Sequence, residues 1–150
     1  MLVFTSCTNN YIPKARILAS SIKRFHPDWE FCLLLGEGEP EGFDLKNEPF
    51  DRILYFSDVK IPNFHSWLFR HRVVEICTAA KAPALKYFLC DEKQEKVIYL
   101  DPDTCVFDSL EKLSSLLDKY DVLLTPHQLE PEKRRMHQLR FVLFNTVFII

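Results

Sequence analysis

The sequence predicts an α/β fold in which helices cover both faces of a mostly parallel sheet. Short apolar runs with the length of strands alternate along the chain with segments of helical periodicity. The run at residues 97–100 shows no polar alternation, which is typical of a parallel strand buried on both faces. The chain has 150 residues, enough for one domain with a substantial core, and we expect residues 1–150 to form a single domain.

Six apolar runs predict the strands of this sheet. They lie at residues 2–5, 31–35, 53–56, 97–100, 121–125 and 144–150. We expect the fifth run to be buried like the fourth. Because a domain rarely ends inside a buried strand, we expect the last run to be the open final strand of a truncated domain, with an exposed edge that favours self-association.

The first predicted helix follows the first strand. It begins near Pro13, which suits a first helical turn, and His26 and Pro27 end it. Asn9 or Asn10 is expected to cap its N-terminus. The apolar side chains that recur at i, i+4 and i+7 are Leu18, Ile22 and Phe25.

Two further segments have helical periodicity. Residues 69–89 form the longer one, and Pro83 inside it must either kink the helix or open a second helix. Residues 109–117 predict a short helix with Ser109 as its cap. The side chains expected to face inward from this short helix are Leu110, Leu113 and Leu117.

Composition excludes several classes of protein. The net charge of −2 argues against a dedicated nucleic-acid binder, and we interpret the single dense basic run, at residues 133–135, as a solvated loop. No apolar run approaches the ~20 residues of a transmembrane helix, and the N-terminus lacks a signal peptide, so we expect a cytoplasmic protein. The five cysteines are scattered without a C-x-x-C pair, which indicates buried, reduced thiols.

The strongest functional signal is the segment Leu100-Asp101-Pro102-Asp103 at the end of the fourth strand. Two carboxylates at i and i+2 point the same way, and ligands of open α/β sheets bind at this end of the strands. Hard oxygen ligands suit Mg²⁺ or Mn²⁺, and neighbouring carboxylates are costly to desolvate without a cation. We therefore expect Asp101 and Asp103 to hold a divalent metal ion together with a diphosphate.

Two alternatives account for the same residues. The segment could be an ordinary turn between a strand and a loop, since Asp and Pro both favour turns. Phosphatases of the haloacid dehalogenase type also place Asp-x-Asp after an apolar strand, with the first Asp, here Asp101, as nucleophile. Their motif has Thr or Val where this chain has Cys105, and it lies near the N-terminus.

Taken together, the motifs resemble the glycogenin-like retaining glycosyltransferases (family eight), which use nucleotide-activated sugars in a GT-A fold. The resemblance covers nearly the whole chain and depends on the order and spacing of short motifs. These are Asn10-Tyr11, Ala19-Ser20-Ser21-Ile22, Thr78-Ala79-Ala80-Lys81, Leu85-Lys86-Tyr87, the Asp101–Asp103 segment with its strand, and Phe144-Asn145-Thr146. It implies transfer of a sugar, with retained configuration, from a UDP-sugar to a carbohydrate or other hydroxyl acceptor.

The resemblance also implies roles for the donor site. Thr5, Ser6 and Cys7 would line the nucleobase pocket, partly through backbone groups, and Tyr11 would stack on the base. Lys81 would reach the donor sugar or the diphosphate. Without the resemblance, Tyr11 would be interpreted as a surface aromatic residue and Lys81 as a solvated lysine on a helix.

The metal and acceptor sides follow from the same resemblance. Asp101 and Asp103 would bind Mn²⁺ or Mg²⁺, while His127, Gln128 and Asn145 would face the sugar and acceptor. The family has a Gly where this chain has Val two residues after Asn145, and its further metal-binding His follows this strand. We therefore expect these 150 residues to bind a donor but to transfer sugar poorly, or to act as a non-catalytic nucleotide-binding fragment.

Overall fold

The computed structural model describes residues 1–126 and 144–149, which form a six-stranded sheet with helices packed against it. The strands are β1 (Leu2–Cys7), β2 (Glu30–Leu35), β3 (Arg52–Tyr55), β4 (Val97–Tyr99), β5 (Leu123–Pro126) and β6 (Phe144–Ile149). The helices are α1 (Ile12–Phe25), α2 (Phe64–Phe69), α3 (Val73–Ala79), α4 (Lys81–Lys86) and α5 (Glu111–Leu116). Short 3-10 turns occur at Asn9–Tyr11 and Leu45–Asn47, and a π-helical turn at Tyr87–Asp91.

The sheet has the order β3-β2-β1-β4-β6-β5. Strands β3, β2, β1 and β4 are parallel, whereas β6 runs antiparallel to both of its neighbours. The chain therefore runs from β1 to β2 and β3 on one side of β1 and then crosses over to β4, which pairs with the other side of β1. Such a reversal of strand order opens a crevice at the carboxyl ends of the two strands that flank it.

Side chains of β1 alternate between two cores, one on each face of the sheet. Leu2 and Phe4 belong to the core that includes Phe88 and α4, whereas Val3 belongs to the core that includes Leu18 and the rest of the apolar face of α1. Both cores contain fully buried side chains. The predicted α/β architecture, with helices on both faces of a mostly parallel sheet, is confirmed.

The predicted cap of α1 is wrong. Tyr11 occupies the N-cap position and makes no side-chain capping bond, although Pro13 does lie in the first turn as predicted. The asparagine side chains are engaged elsewhere, because Asn9 Nδ2 donates to the Gly38 carbonyl at 2.8 Å and Asn10 Oδ1 accepts from the Thr8 hydroxyl. The intervening 3-10 turn moves the start of the helix beyond their reach.

Pro83 marks a change of helix, which was one of its two predicted outcomes. Helix α3 ends at Ala79, and α4 begins at Lys81 with Pro83 in its first turn. Proline has no N–H to donate to the preceding turn, so the hydrogen-bond ladder of α3 cannot continue through it. Helix α2 was not predicted, since its six residues are too few to establish a periodicity.

Two predictions about the strands that follow β4 are wrong. Val122 is 49% exposed and Leu124 is 42% exposed, because β5 lies at the edge of the sheet rather than inside it. Strand β6 is not an open edge, since it pairs with β4 on one side and with β5 on the other. The order of the strands therefore makes β5 the edge strand and places β6 inside the sheet, the reverse of what was expected. No local sequence pattern encodes this order.

The cysteine prediction holds in part. All five thiols are free, and Cys7 and Cys32 are buried as expected. Cys90 and Cys105 are exposed, because they lie outside the strands, on the π-helical turn and on the loop after β4. None of the helices between residues 1 and 126 has both the length and the apolar composition that crossing a bilayer requires.

The N-terminus of α5 depends on a buried histidine. The Leu110 N–H donates to His26 Nε2 at 2.8 Å, and the Glu111 N–H donates to Ser109 Oγ at 3.2 Å. The prediction of Ser109 as the cap is wrong, because Leu110 occupies the N-cap position and no side chain makes a capping bond there. The His26 ring is 4% exposed and stacks on Trp29 with centroids 3.7 Å apart. Burial lowers the pKa of His26 below its usual 6.5, and the charge of Glu111 partly offsets that effect.

We predict that stability falls as pH decreases below about 6.5, because the unfolded chain then binds a proton that the buried, hydrogen-bond-accepting His26 resists. Thermal unfolding at about pH 7.5 and about pH 5.5 measures this, and His26→Gln should lose less stability between the two than the parent. His65→Gln, at an exposed position, is the control and should keep the parent's pH dependence. An equal loss in the parent and in His26→Gln would contradict the assignment.

Candidate functional site

A cavity of about 370 Å³ lies where the strand order reverses. Strand β1 pairs with β2 up to Cys7 but pairs with β4 only up to Phe4, so the two central strands separate before β1 ends. The cavity opens beside this separation and is lined from β1, the turn after it, α3, α4 and the end of β4. The lining residues are Ser6, Cys7, Thr8, Asn10, Tyr11, Val73, Val74, Cys77, Thr78, Lys81, Tyr99, Asp101, Pro102 and Asp103.

Both aspartates of the predicted metal motif line this cavity. The Thr104 N–H and hydroxyl both donate to the Asp101 carbonyl, at 3.1 and 2.7 Å, and close a tight turn after β4. This turn brings Asp103 back to the same cavity as Asp101 although neither residue belongs to the strand itself. Asp101 is partly buried and Asp103 is exposed.

Asp101 is held by an ion pair with Lys81. The Lys81 Nζ lies 3.0 Å from Asp101 Oδ1, and the two side chains are 7% and 24% exposed. Helix α4 starts at Lys81, so the break between α3 and α4 sets where this ammonium group enters the cavity. The alternative interpretation of Lys81 as a solvated helix residue is wrong, because the Lys81 side chain is buried.

This pair changes the argument for a metal ion. Two adjacent carboxylates on their own would need a cation, but Lys81 already offsets the charge of Asp101. Asp103 forms no ion pair with any residue between 1 and 126. The same part of the chain contains no group of three or more His, Cys, Asp or Glu side chains arranged to hold a metal ion.

The end of β1 forms a neutral wall of the cavity. Ser6 Oγ donates to the Cys77 carbonyl at 3.0 Å and so joins β1 to α3. Burial, and secondarily the nearby Cys77, raises the pKa of the Cys7 thiol to about 12, so this thiol stays protonated at neutral pH. Thr5 is fully buried inside the strand and is not among the residues that line the cavity, so its role at the nucleobase, partly through backbone groups, stays a prediction.

Tyr11 lies at the rim of the cavity and is 36% exposed. The Lys14 Nζ lies 4.2 Å from the centroid of its ring. The 3-10 turn that carries Tyr11 is tied to the loop after β2, because the Asn9 N–H donates to Glu37 Oε1 at 2.7 Å. A planar ligand in the cavity would therefore meet an aromatic ring on a fixed turn.

The predicted residues on the sugar and acceptor side are His127, Gln128 and Asn145. His127 and Gln128 lie outside the described residues, as does the basic run at 133–135. Asn145 lies in β6, where its backbone pairs in register with Thr125 of β5. Their expected roles toward the sugar and acceptor stay predictions.

The sequence pattern did not indicate several of the cavity residues, among them Val73, Val74, Cys77 and Tyr99. For Tyr99 it indicated only a place in a buried strand. Its position two residues before Asp101 was a usable signal, since side chains at i and i+2 of a strand lie on the same face. The valines and Cys77 carry no such signal, because the packing of α3 against β1 decides their position.

Solved structures of glycosyltransferases have the same fold. An active-site mutant of LgtC superimposes with a TM-score of 0.61 at 23% identity, over 100% of this chain and 57% of LgtC. The galactosyltransferase LgtC in complex with donor and acceptor sugar analogs gives a TM-score of 0.59 at 23% identity, with the same coverage. The apo-form glycosyltransferase GlyE of Streptococcus pneumoniae TIGR4 gives 0.57 at 21% identity, over 99% of this chain and 33% of GlyE.

These similarities establish the fold, and the predicted GT-A architecture is confirmed. The chain spans 57% of the length of LgtC and 33% of the length of GlyE. No protein-family model and no curated protein sequence matches the chain. At identities of 20–23% the glycogenin-like resemblance stays a prediction.

We predict that the Lys81–Asp101 pair contributes to stability as a unit. Lys81→Met leaves a partly buried carboxylate without its cation and should cost about 1–3 kcal/mol in urea unfolding. Adding Asp101→Asn should recover part of that loss. Lys60→Met removes an ion pair with Asp91 whose lysine is 77% exposed, and as the control it should cost at most about 0.5 kcal/mol. Strict additivity of the two site substitutions would contradict the coupling.

Proposed function

We propose that this chain binds a nucleotide-sugar, most simply a UDP-sugar, in the cavity between β1 and β4, and that its function is retaining transfer of the sugar to a carbohydrate or other hydroxyl acceptor. The observation that carries the proposal is the convergence of Asp101, Asp103 and Lys81 on one cavity at the reversal of the strand order. The GT-A fold of the glycosyltransferase neighbours supports it. Of the two activities in this proposal, donor binding is the one that can be tested with these 150 residues, since the chain spans only 57% of the length of LgtC.

The charges of the cavity favour a cation-dependent donor. Among the lining residues that the described part of the chain contributes, only Lys81, Asp101 and Asp103 are charged, and their net charge is −1. A diphosphate would be repelled by this site on its own. A divalent cation would reverse the sign of the local charge and make the site attractive to a diphosphate.

The residues fit such a cation, because two carboxylates are enough when substrate phosphates and water supply the other ligands. Asp103 offers an exposed carboxylate, and the side-chain hydrogen bonds to Asp101 both end on Oδ1, which leaves Oδ2. Mg²⁺ and Mn²⁺ are held through one or two carboxylates together with substrate phosphates and water, so Asp101 and Asp103 match that mode. The cation, when bound, would offset the charge that develops on the departing diphosphate.

Lys81 supplies a second, permanent positive charge. Its ammonium group is fixed by Asp101 at 3.0 Å and can donate to a phosphate oxygen or a sugar hydroxyl without leaving the pair, because an ammonium group has three protons. This is the role we propose for it toward the leaving diphosphate. We assign no nucleophile and no general base to this chain.

The phosphatase alternative is not favoured. The neighbours that share the fold are glycosyltransferases. In addition, the chain has Cys105 where the motif of those phosphatases has Thr or Val. A nucleotide-binding domain without transfer activity would bind the same ligand and would differ only in turnover.

We predict that Mn²⁺ strengthens UDP binding at least tenfold, a gain consistent with a charge-assisted contact to the diphosphate. Asp103→Asn should lose that gain, because it removes the exposed carboxylate of the pair. Isothermal titration calorimetry with UDP, in Mn²⁺ or in chelator, measures both effects. Asp28→Asn removes the same charge at an exposed position outside the cavity and should bind like the parent. Equal affinity of the parent in Mn²⁺ and in chelator would overturn the metal assignment.

We predict that uridine nucleotides bind better than guanosine nucleotides, through stacking of the base on Tyr11. Base–aromatic stacking is worth roughly 1–3 kcal/mol in nucleic-acid sites, so Tyr11→Ala should weaken UDP by at least about fivefold. Tyr11→Phe is the matched control and should retain most of the affinity. Competition between UDP and GDP tests the choice of base, and equal competition would show that the preference is absent.

A further inference from the structure

A buried tyrosine and the site lysine donate to the same oxygen of Asp101. The Tyr99 hydroxyl lies 2.8 Å from Asp101 Oδ1, and the Lys81 Nζ lies 3.0 Å from that oxygen. The same ammonium group lies 4.4 Å from the centroid of the Tyr99 ring. The three side chains therefore form a closed group, in which each one contacts the other two.

We propose that Tyr99 is a positioning residue that fixes the Asp101 carboxylate so that Oδ2 is the oxygen available to the ligand. The proposal rests on the proposed function for the identity of that ligand, a divalent cation with a nucleoside diphosphate. A carboxylate oxygen has two lone-pair directions, and two donors on Oδ1 satisfy both. Rotation of the carboxylate would break both bonds at once, so the roles of the two oxygens do not exchange.

The tyrosine ring is itself immobile. Tyr99 is fully buried in β4, and its ring meets the Phe4 ring edge-on with centroids 5.0 Å apart. Strand pairing also fixes the backbone of Tyr99, since Tyr99 and Phe4 are partners in the parallel ladder between β4 and β1. The hydroxyl thus has a set position relative to Asp101 before any ligand binds.

The Tyr99 hydroxyl is the donor in this bond, because a carboxylate oxygen can only accept. Its bond to a carboxylate is charge-assisted and stronger than a bond between neutral groups. If the Tyr99 hydroxyl is removed, Lys81 is the remaining side-chain donor to Asp101 Oδ1. The flexible lysine side chain can follow this oxygen when the carboxylate rotates.

The test compares Tyr99→Phe with the parent and with a matched control, Tyr55→Phe. The Tyr55 hydroxyl also donates to a carboxylate, Glu39 at 2.7 Å, but this pair does not belong to the cavity. Calorimetry with UDP should show a roughly tenfold loss of affinity for Tyr99→Phe in Mn²⁺ and a change below about twofold in chelator. Tyr55→Phe should match the parent in both conditions.

A ligand-free measurement separates this proposal from the proposed function. In protein labelled with ¹³C at aspartate carboxyls, Tyr99→Phe should shift the Asp101 signal, identified by its loss in Asp101→Asn, and Tyr55→Phe should not. If the parent fails to bind UDP with Mn²⁺, the proposed function is wrong, and the carboxyl signal alone decides the role of Tyr99. An unshifted Asp101 signal overturns the positioning role.

Two further results bear on the proposal. A purely structural tyrosine would lower the melting temperature and weaken UDP equally in Mn²⁺ and in chelator, and that result overturns the positioning role. If Tyr99→Phe does not fold, the Tyr99 hydroxyl proton of the parent is followed by NMR instead. Its signal should respond to Mg²⁺ with UDP and not to UDP alone, and a signal that ignores both overturns the proposal.

Discussion

The structure depends most on the unequal pairing of β1 with its two neighbours. Six residues of β1 pair with β2, whereas three pair with β4. Because β4 stops at Tyr99, the last three residues of β1 have no strand partner on that side. The Leu100 N–H donates one final bond to the Phe4 carbonyl at 3.1 Å before the chain turns away. The cavity, the exposed position of Asp103 and the path of the loop after β4 all follow from that early end of the ladder.

The second constraint is electrostatic. A lysine that is 7% exposed is costly to bury unless its charge is compensated, and Asp101 compensates it from the end of a different element. The pair therefore requires α4 and β4 to be placed correctly with respect to each other. Because Pro83 lies in the first turn of α4, a backbone feature of one helix sets the position of a charge in the site.

Local patterns predicted most of the elements but not their order. The apolar runs identified β1 to β4 closely, and the i, i+2 spacing of Asp101 and Asp103 identified the carboxylates that share the cavity. The exposure of β5 and the central place of β6 depend on which strands become neighbours, a tertiary property that no short window contains. Lys81 entered through the family resemblance alone, since nothing in the sequence around it indicates burial.

The same arrangement explains why a lysine bound to a carboxylate can still serve a ligand. A free lysine side chain would lose rotamer freedom when it met a diphosphate, but Lys81 has already lost that freedom on folding. Of its three ammonium protons, one is directed at Asp101 Oδ1, and the others are available for oxygens in the cavity. Groups that are oriented before the charge develops need no reorganisation when it does, which is the condition under which electrostatic stabilisation of a leaving diphosphate is most effective. The ion pair is therefore compatible with the proposed donor binding, because it orients the one cationic side chain that residues 1–126 place in the cavity wall.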